Sequence, residues 1–155
     1  MKYLFIIFVV AVMSFTFVFS SQAQTSNAVS KGSAEDSTKI TLTIGNKVIP
    51  AILYNNTTSK ALIERLPVTV SLNRGPVDYC GGISPINYEK EDLQAGYRTG
   101  DLAYWIPGKD FVIFTETEET SSGVPELVII GQISSDIAQI KALGSTIKVT
   151  IALNR

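Results

Sequence analysis

Apolar and polar positions alternate with period two along much of the chain, the signature of strands with one face buried. In Lys39 to Ile44, Ile40, Leu42 and Ile44 lie on one face and Thr41 and Thr43 on the other. Gly45-Asn46 then predicts a tight turn, and Val48 to Leu53 a returning strand in which Pro50 marks an edge or bulge position. Asn55-Asn56-Thr57-Thr58 supplies N-cap residues for a helix of about ten residues. Ala61, Leu62, Ile63 and Leu66 form its apolar face, and Pro67 ends it. Val68 to Leu72 reads as a further strand. Asn73 to Arg98 has little period and carries Gly75-Pro76, Gly81-Gly82 and Pro85, so it reads as a long irregular region of the kind that often holds function.

The densest pattern is Gly100 to Thr115, GDLAYWIPGKDFVIFT. Leu102, Tyr104 and Ile106 alternate with Ala103 and Trp105, and Phe111 and Ile113 alternate with Val112 and Phe114. Pro107-Gly108 between them predicts a type II turn with glycine at the positive-φ position. Both faces are apolar, which requires a sheet covered on both sides or closed around its own core. After an acidic polar loop, Glu116 to Val124, come a buried strand (Leu127 to Ile133), a short helix with Ile137, Ile140 and Leu143 on one face, and an alternating strand (Ile147 to Leu153). Ser134-Ser135 is read as the cap of that helix and Gly144 as the residue that stops it. Many short strands and few helices predict a closed or nearly closed β-barrel with helices plugging its ends.

The N-terminus departs from this pattern. Lys2 precedes an almost continuous apolar run, Leu4 to Phe19, and then Ser20-Ser21-Gln22-Ala23. Ser21 and Ala23 suit a signal peptidase site, so cleavage after Ala23 and export to the periplasm or beyond are expected. The rival reading is a retained anchor, against which the run is about 16 residues where roughly 20 span a bilayer core. The expected organisation is a signal peptide over 1–23, a flexible tether over 24–37 and one barrel domain over 38–155.

Composition narrows the chemistry. The chain has 13 basic and 14 acidic residues and no histidine. Such a balance gives no electrostatic case for nucleic acid, and no basic run points to a membrane surface after the signal is removed. The missing histidine removes the commonest general base and metal ligand. Cys80 is the only cysteine, so no internal disulfide forms, and no Cys-His nucleophile exists. The Glu116, Glu118 and Glu119 group lacks the ligand spacing and glycine of a calcium loop. No metal or cofactor is expected.

The GDLAYWIPG-KDFVIF hairpin with PELVIIGQI after it, KITLTIGNKVIPAILYNNTTSKALIERLPVTV before it and IAQIKALGSTIKVTI at the end resembles small bacterial proteins of the cyclophilin-like fold. The resemblance runs from about Lys39 to Ala152 and implies an eight-stranded barrel closed by two helices. True cyclophilins are peptidyl-prolyl isomerases whose arginine stands in a Phe-His-Arg-Val type of segment. This chain has none, and Arg74, in LNRGPVDYCGG, is the nearest positional candidate. The expected function is therefore binding of a small molecule or peptide without catalysis, with peptidyl-prolyl isomerisation as the alternative. Candidate ligand contacts are Arg74 and Arg98, which border the irregular region, Tyr79 within it, and Tyr104 and Trp105 on the hairpin.

Overall fold

The computed structural model describes residues 36–117 and 124–155. The expected signal peptide, most of the tether, and Glu118 and Glu119 lie outside them. Eight antiparallel strands close into a barrel: β1 (Thr38–Ile44), β2 (Lys47–Leu53), β3 (Val68–Arg74), β4 (Asp78–Gly82), β5 (Asp101–Trp105), β6 (Asp110–Phe114), β7 (Leu127–Ile133) and β8 (Thr146–Leu153). Around the barrel they run β1-β2-β7-β5-β6-β4-β3-β8, and β8 pairs back onto β1. Helices α1 (Thr57–Ile63) and α2 (Ala138–Lys141) interrupt the strands, and Lys90–Asp92 forms a single 3-10 turn.

The period-two pattern fills the interior. Ile40, Leu42, Ile49, Leu53, Leu72, Leu102, Phe111, Ile113, Val128, Val149 and Ile151 point inward and pack into one core. Burying a Leu or Ile contributes roughly 1.5–3 kcal/mol of transfer free energy. Leu62 of α1 and Ile140 of α2 join that core.

The hairpin's second apolar face has a different partner. Ala103, Val112, Phe114, Leu127 and Ile129 face outward and form a second buried cluster with Tyr54. Part of the irregular region covers them: Tyr97 stacks on Phe114, with ring centroids 3.7 Å apart, and Gln94 pairs with Leu127 through both backbone bonds. The barrel wall is thus covered on its outside at β5, β6 and β7.

Local chemistry accounts for the element ends. Asn56 is the N-cap of α1, its Oδ1 accepting from the Ser59 amide at 2.8 Å. The β5–β7 register slips between Leu102 and Ala103, leaving Ile130 as the extra residue of a β-bulge. The carbonyls of Ile129 and Ile130 at this slip accept from Asn56 Nδ2 (3.0 Å) and Ser59 Oγ (2.8 Å), which fastens α1 to the barrel. Pro50 lies one residue beyond the last rung of the β2–β7 ladder, Ala51↔Ile133, where its carbonyl accepts from Ser134 N and its missing N–H interrupts no rung of that ladder.

Four local expectations change. Asp78–Gly82 is a strand, β4, inside the region read as irregular. The hairpin's positive φ falls on Lys109 (55°) and not on Gly108, so the turn is not type II. Gly108 is needed for space, since a Cβ there would lie 2.7 Å from the Trp105 ring. The second helix takes its polar cap from Asp136, whose Oδ1 accepts from Ala138 N, and not from Ser134 or Ser135. Gly144 is not among the left-handed glycines of the described residues.

Candidate functional site

The five residues singled out from the sequence divide among four places. Arg74 and Tyr79 come together at the barrel end beneath α2. The Arg74 guanidinium donates to the Tyr79 hydroxyl and to the carbonyls of Lys141 and Leu143 (both 2.6 Å), and its carbon lies 4.8 Å from the Tyr79 ring centre. The Tyr79 hydroxyl donates to Gly144 O at 2.7 Å. Three carbonyls at the C-terminal end of α2 thereby meet donors from β3 and β4, which satisfies the groups a short helix leaves unpaired.

Tyr104 is 2 % exposed and sits among the interior side chains, opposite Phe111. Trp105, next in sequence, faces the outer cluster and is half-buried. Its Nε1 is buried without a hydrogen-bond partner among the described residues. Arg98 lies where the covering loop re-enters β5; its amide donates to Asp101 Oδ2 at 2.7 Å. Burial raises the Asp101 carboxyl above its ordinary range, against the opposing pull of that amide and of the Arg98 charge.

Along the β4–β6 ladder Cys80 opposes Val112, between the end rungs Asp78↔Phe114 and Gly82↔Asp110. Burial and the Asp110 charge push Asp78 up, and burial followed by the charges of Asp78 and Asp110 pushes the Cys80 thiol up. A thiol held protonated is a poor nucleophile. Among the described residues no group of three or more acidic, cysteine or histidine side chains is arranged to hold a metal ion.

A concavity among the described residues involves none of the five. A groove of 390 Å³ is lined by Leu62 and Arg65 from the end of α1, Val68, Thr69 and Val70 from β3, and Gly82, Ile83, Ser84 and Ile86 after β4. It exists because β3 and β4 splay. They pair only at Asn73↔Cys80 and Arg74↔Tyr79. Beyond that, Gly81 packs so closely on Ser71 that a Cβ would lie 2.1 Å from its carbonyl oxygen, and Ile83 turns to follow β6 by donating to Lys109 O.

Strand geometry fixes what the groove wall offers. Arg74 N donates to Ser145 O, so the even-numbered residues of β3 bond to β8 and the odd-numbered ones point the other way. Thr69 therefore turns its backbone N–H and C=O toward the groove, where no described strand pairs with them. Arg65 borders the same space, its Nη1 donating to Ser84 O (2.9 Å) and Nη2 to Pro85 O (2.7 Å). Neither Arg65 nor Thr69 has a sequence signal of its own. Recognising them requires knowing that β4 exists and where it parts from β3.

Among solved structures the fold is similar to the solution structure of a hypothetical protein from Archaeoglobus fulgidus, with a TM-score of 0.59 and 21% identity over 76% of this chain and 95% of that one. No curated protein matches the chain. The description "Cyclophilin-like family" matches residues 42–152, nearly the whole barrel from within β1 to within β8, and the chain belongs to that family.

Proposed function

We propose that the domain is a binding module whose ligand, a small molecule or peptide, lies in the groove between β3 and β4 and leaves chemically unchanged. One observation carries the reading: at this place the wall opens, with Leu62, Val70, Ile83 and Ile86 as apolar lining and the unpaired backbone of Thr69 at its side. Ligand sites combine an apolar surface with a few fixed polar groups in this way. The apolar N-terminal run with Ser21 and Ala23 supports export of the mature domain to the periplasm or beyond as part of this reading. N-terminal sequencing of the protein recovered from outside the cytoplasm tests that part, with Gln24 as the expected first residue.

The alternative, peptidyl-prolyl isomerisation, calls for an arginine presented to a proline-containing chain. Arg74 instead donates to three oxygens of its own protein. A coupled isomerisation assay separates the readings. Acceleration that Arg74→Ala or Arg98→Ala abolishes would favour the enzyme. For the binding reading, titration of peptides and metabolites into the labelled protein is expected to shift the amides of Val68 to Val70 and Gly82 to Ser84. Ligands that bind but shift only other regions would remove the groove from consideration.

A further inference from the structure

The charged side chain lining the groove is Arg65. A guanidinium has five N–H donors. The carbonyls of Ser84 and Pro85 take two of them and fix the plane of the group at the groove's rim. Fixing it in advance reduces the entropy lost when a ligand arrives. No carboxylate among the described residues lies within salt-bridge distance of Arg65. A held, uncompensated positive charge thus stands beside an apolar lining and a strand edge with a free N–H and C=O at Thr69.

A ligand that answers all three has a carboxylate, an apolar side chain next to it and a peptide backbone. An inorganic anion would leave the apolar lining and the strand edge unmatched. An internal peptide segment without an acidic side chain would offer the guanidinium only neutral carbonyls and leave its charge unmatched. We propose that the groove captures the C-terminal end of an extended peptide: its carboxylate on Arg65, its apolar last side chain among Leu62, Val70, Ile83 and Ile86, and its backbone added to the β3 edge at Thr69. This rests on the groove being the ligand site. Strand addition supplies affinity through main-chain bonds, and the charge selects a chain end.

The test titrates acetyl-Val-Thr-Val-Leu, as the free acid and as its C-terminal amide, into the isotopically labelled protein. The acid is expected to shift the Thr69 amide and slow its hydrogen exchange. It is expected to bind about fivefold tighter than the amide at low salt, the size of a partly exposed ion pair, with the preference shrinking as salt rises. Arg65→Gln is expected to abolish the preference while the amide peptide still shifts Thr69, which shows the groove intact. Arg65→Lys is expected to keep part of the preference. Equal binding of acid and amide, or a preference that survives Arg65→Gln, overturns C-terminal capture and leaves the groove as a ligand site. If neither peptide shifts the groove amides, the capture is overturned as well, and the groove itself is then judged by the metabolite titrations.

Discussion

Tyr97 lies flat on Phe114, with ring centroids 3.7 Å apart and planes within 5°. The pair joins the covering loop to the outer wall of β6, and Phe114 is only 1 % exposed as a result. Truncating Phe114 to alanine is expected to cost about 3–5 kcal/mol, the range for a buried aromatic. Tyr97→Ala is expected to cost less, because its ring is only half-buried. A double-mutant cycle in urea is expected to give a coupling of about 0.5–1.5 kcal/mol. A coupling near zero would mean that the stack adds nothing to the loop's other ties, such as the backbone pairing of Gln94 with Leu127 and of Gly96 with Val124.

Two glycines hold strands where no side chain fits. A Cβ at Gly131 would lie 2.0 Å from Ile52 O and one at Gly81 would lie 2.1 Å from Ser71 O, both against backbone that cannot swing aside. Gly81→Ala and Gly131→Ala are each expected to lower stability by more than about 1–3 kcal/mol, the usual cost of overpacking a filled site. Gly144→Ala meets open space, and the loss of unfolded-state freedom is expected to leave it neutral or stabilised by about 0.4–1 kcal/mol. Thermal melts of the three variants decide the order.

Asp78 sets a pH dependence. Its ordinary value is 3.8, and in the fold burial, then the Asp110 charge, raise it. The folded state therefore keeps the proton to higher pH than the unfolded chain does. The stability this contributes is complete below 3.8 and is lost as pH rises through the folded-state value. Asp101 and Asp110 shift in the same direction. Asp78→Asn is expected to flatten the decline in stability between acid and neutral pH. It is also expected to speed alkylation of Cys80, whose thiol the Asp78 charge helps to keep protonated. An unchanged alkylation rate would show that burial and the Asp110 charge set the thiol without help from Asp78.

Tyr79→Phe removes the donor to Gly144 O while keeping the ring in the core. The expected loss is about 1–2 kcal/mol, since a carbonyl at the end of α2 is left with less than its full set of partners. Hydrogen exchange is expected to quicken around Lys141 to Gly144 and to stay slow in β1 and β2. Uniform quickening across the barrel would show that the hydroxyl supports the whole fold and not the helix end.

The barrel was legible because its strands alternate. Ile40, Leu42 and Ile44, or Val149 and Ile151, announce an inner face without any knowledge of their partners. The two-faced hairpin also announced a cover, and Tyr97 with Gln94 provides it. What could not be read depends on distance in sequence. The strand β4 follows Pro76 and ends in Gly81-Gly82, residues that signal turns, and it is recruited by pairing with β6. The groove follows from where β4 leaves β3, which no local pattern encodes. Arg74 and Tyr79 were noticed for their chemistry, but their partners, the carbonyls of Lys141, Leu143 and Gly144, lie more than sixty residues away.

The splay of β3 from β4 also bears on how the molecule avoids its own kind. A closed barrel abolishes the strand edges on which chains stack into aggregates. Here the opening bares the backbone of Thr69, with the end of α1 on one side and the Ile83 to Ile86 segment on the other. Such a recess has room for a single short strand, whereas a broad sheet from a second molecule would meet Arg65 and the segment it grips. Loosening that grip would lengthen the accessible edge, so the arginine that selects a ligand's end would serve equally as a guard against self-templated assembly.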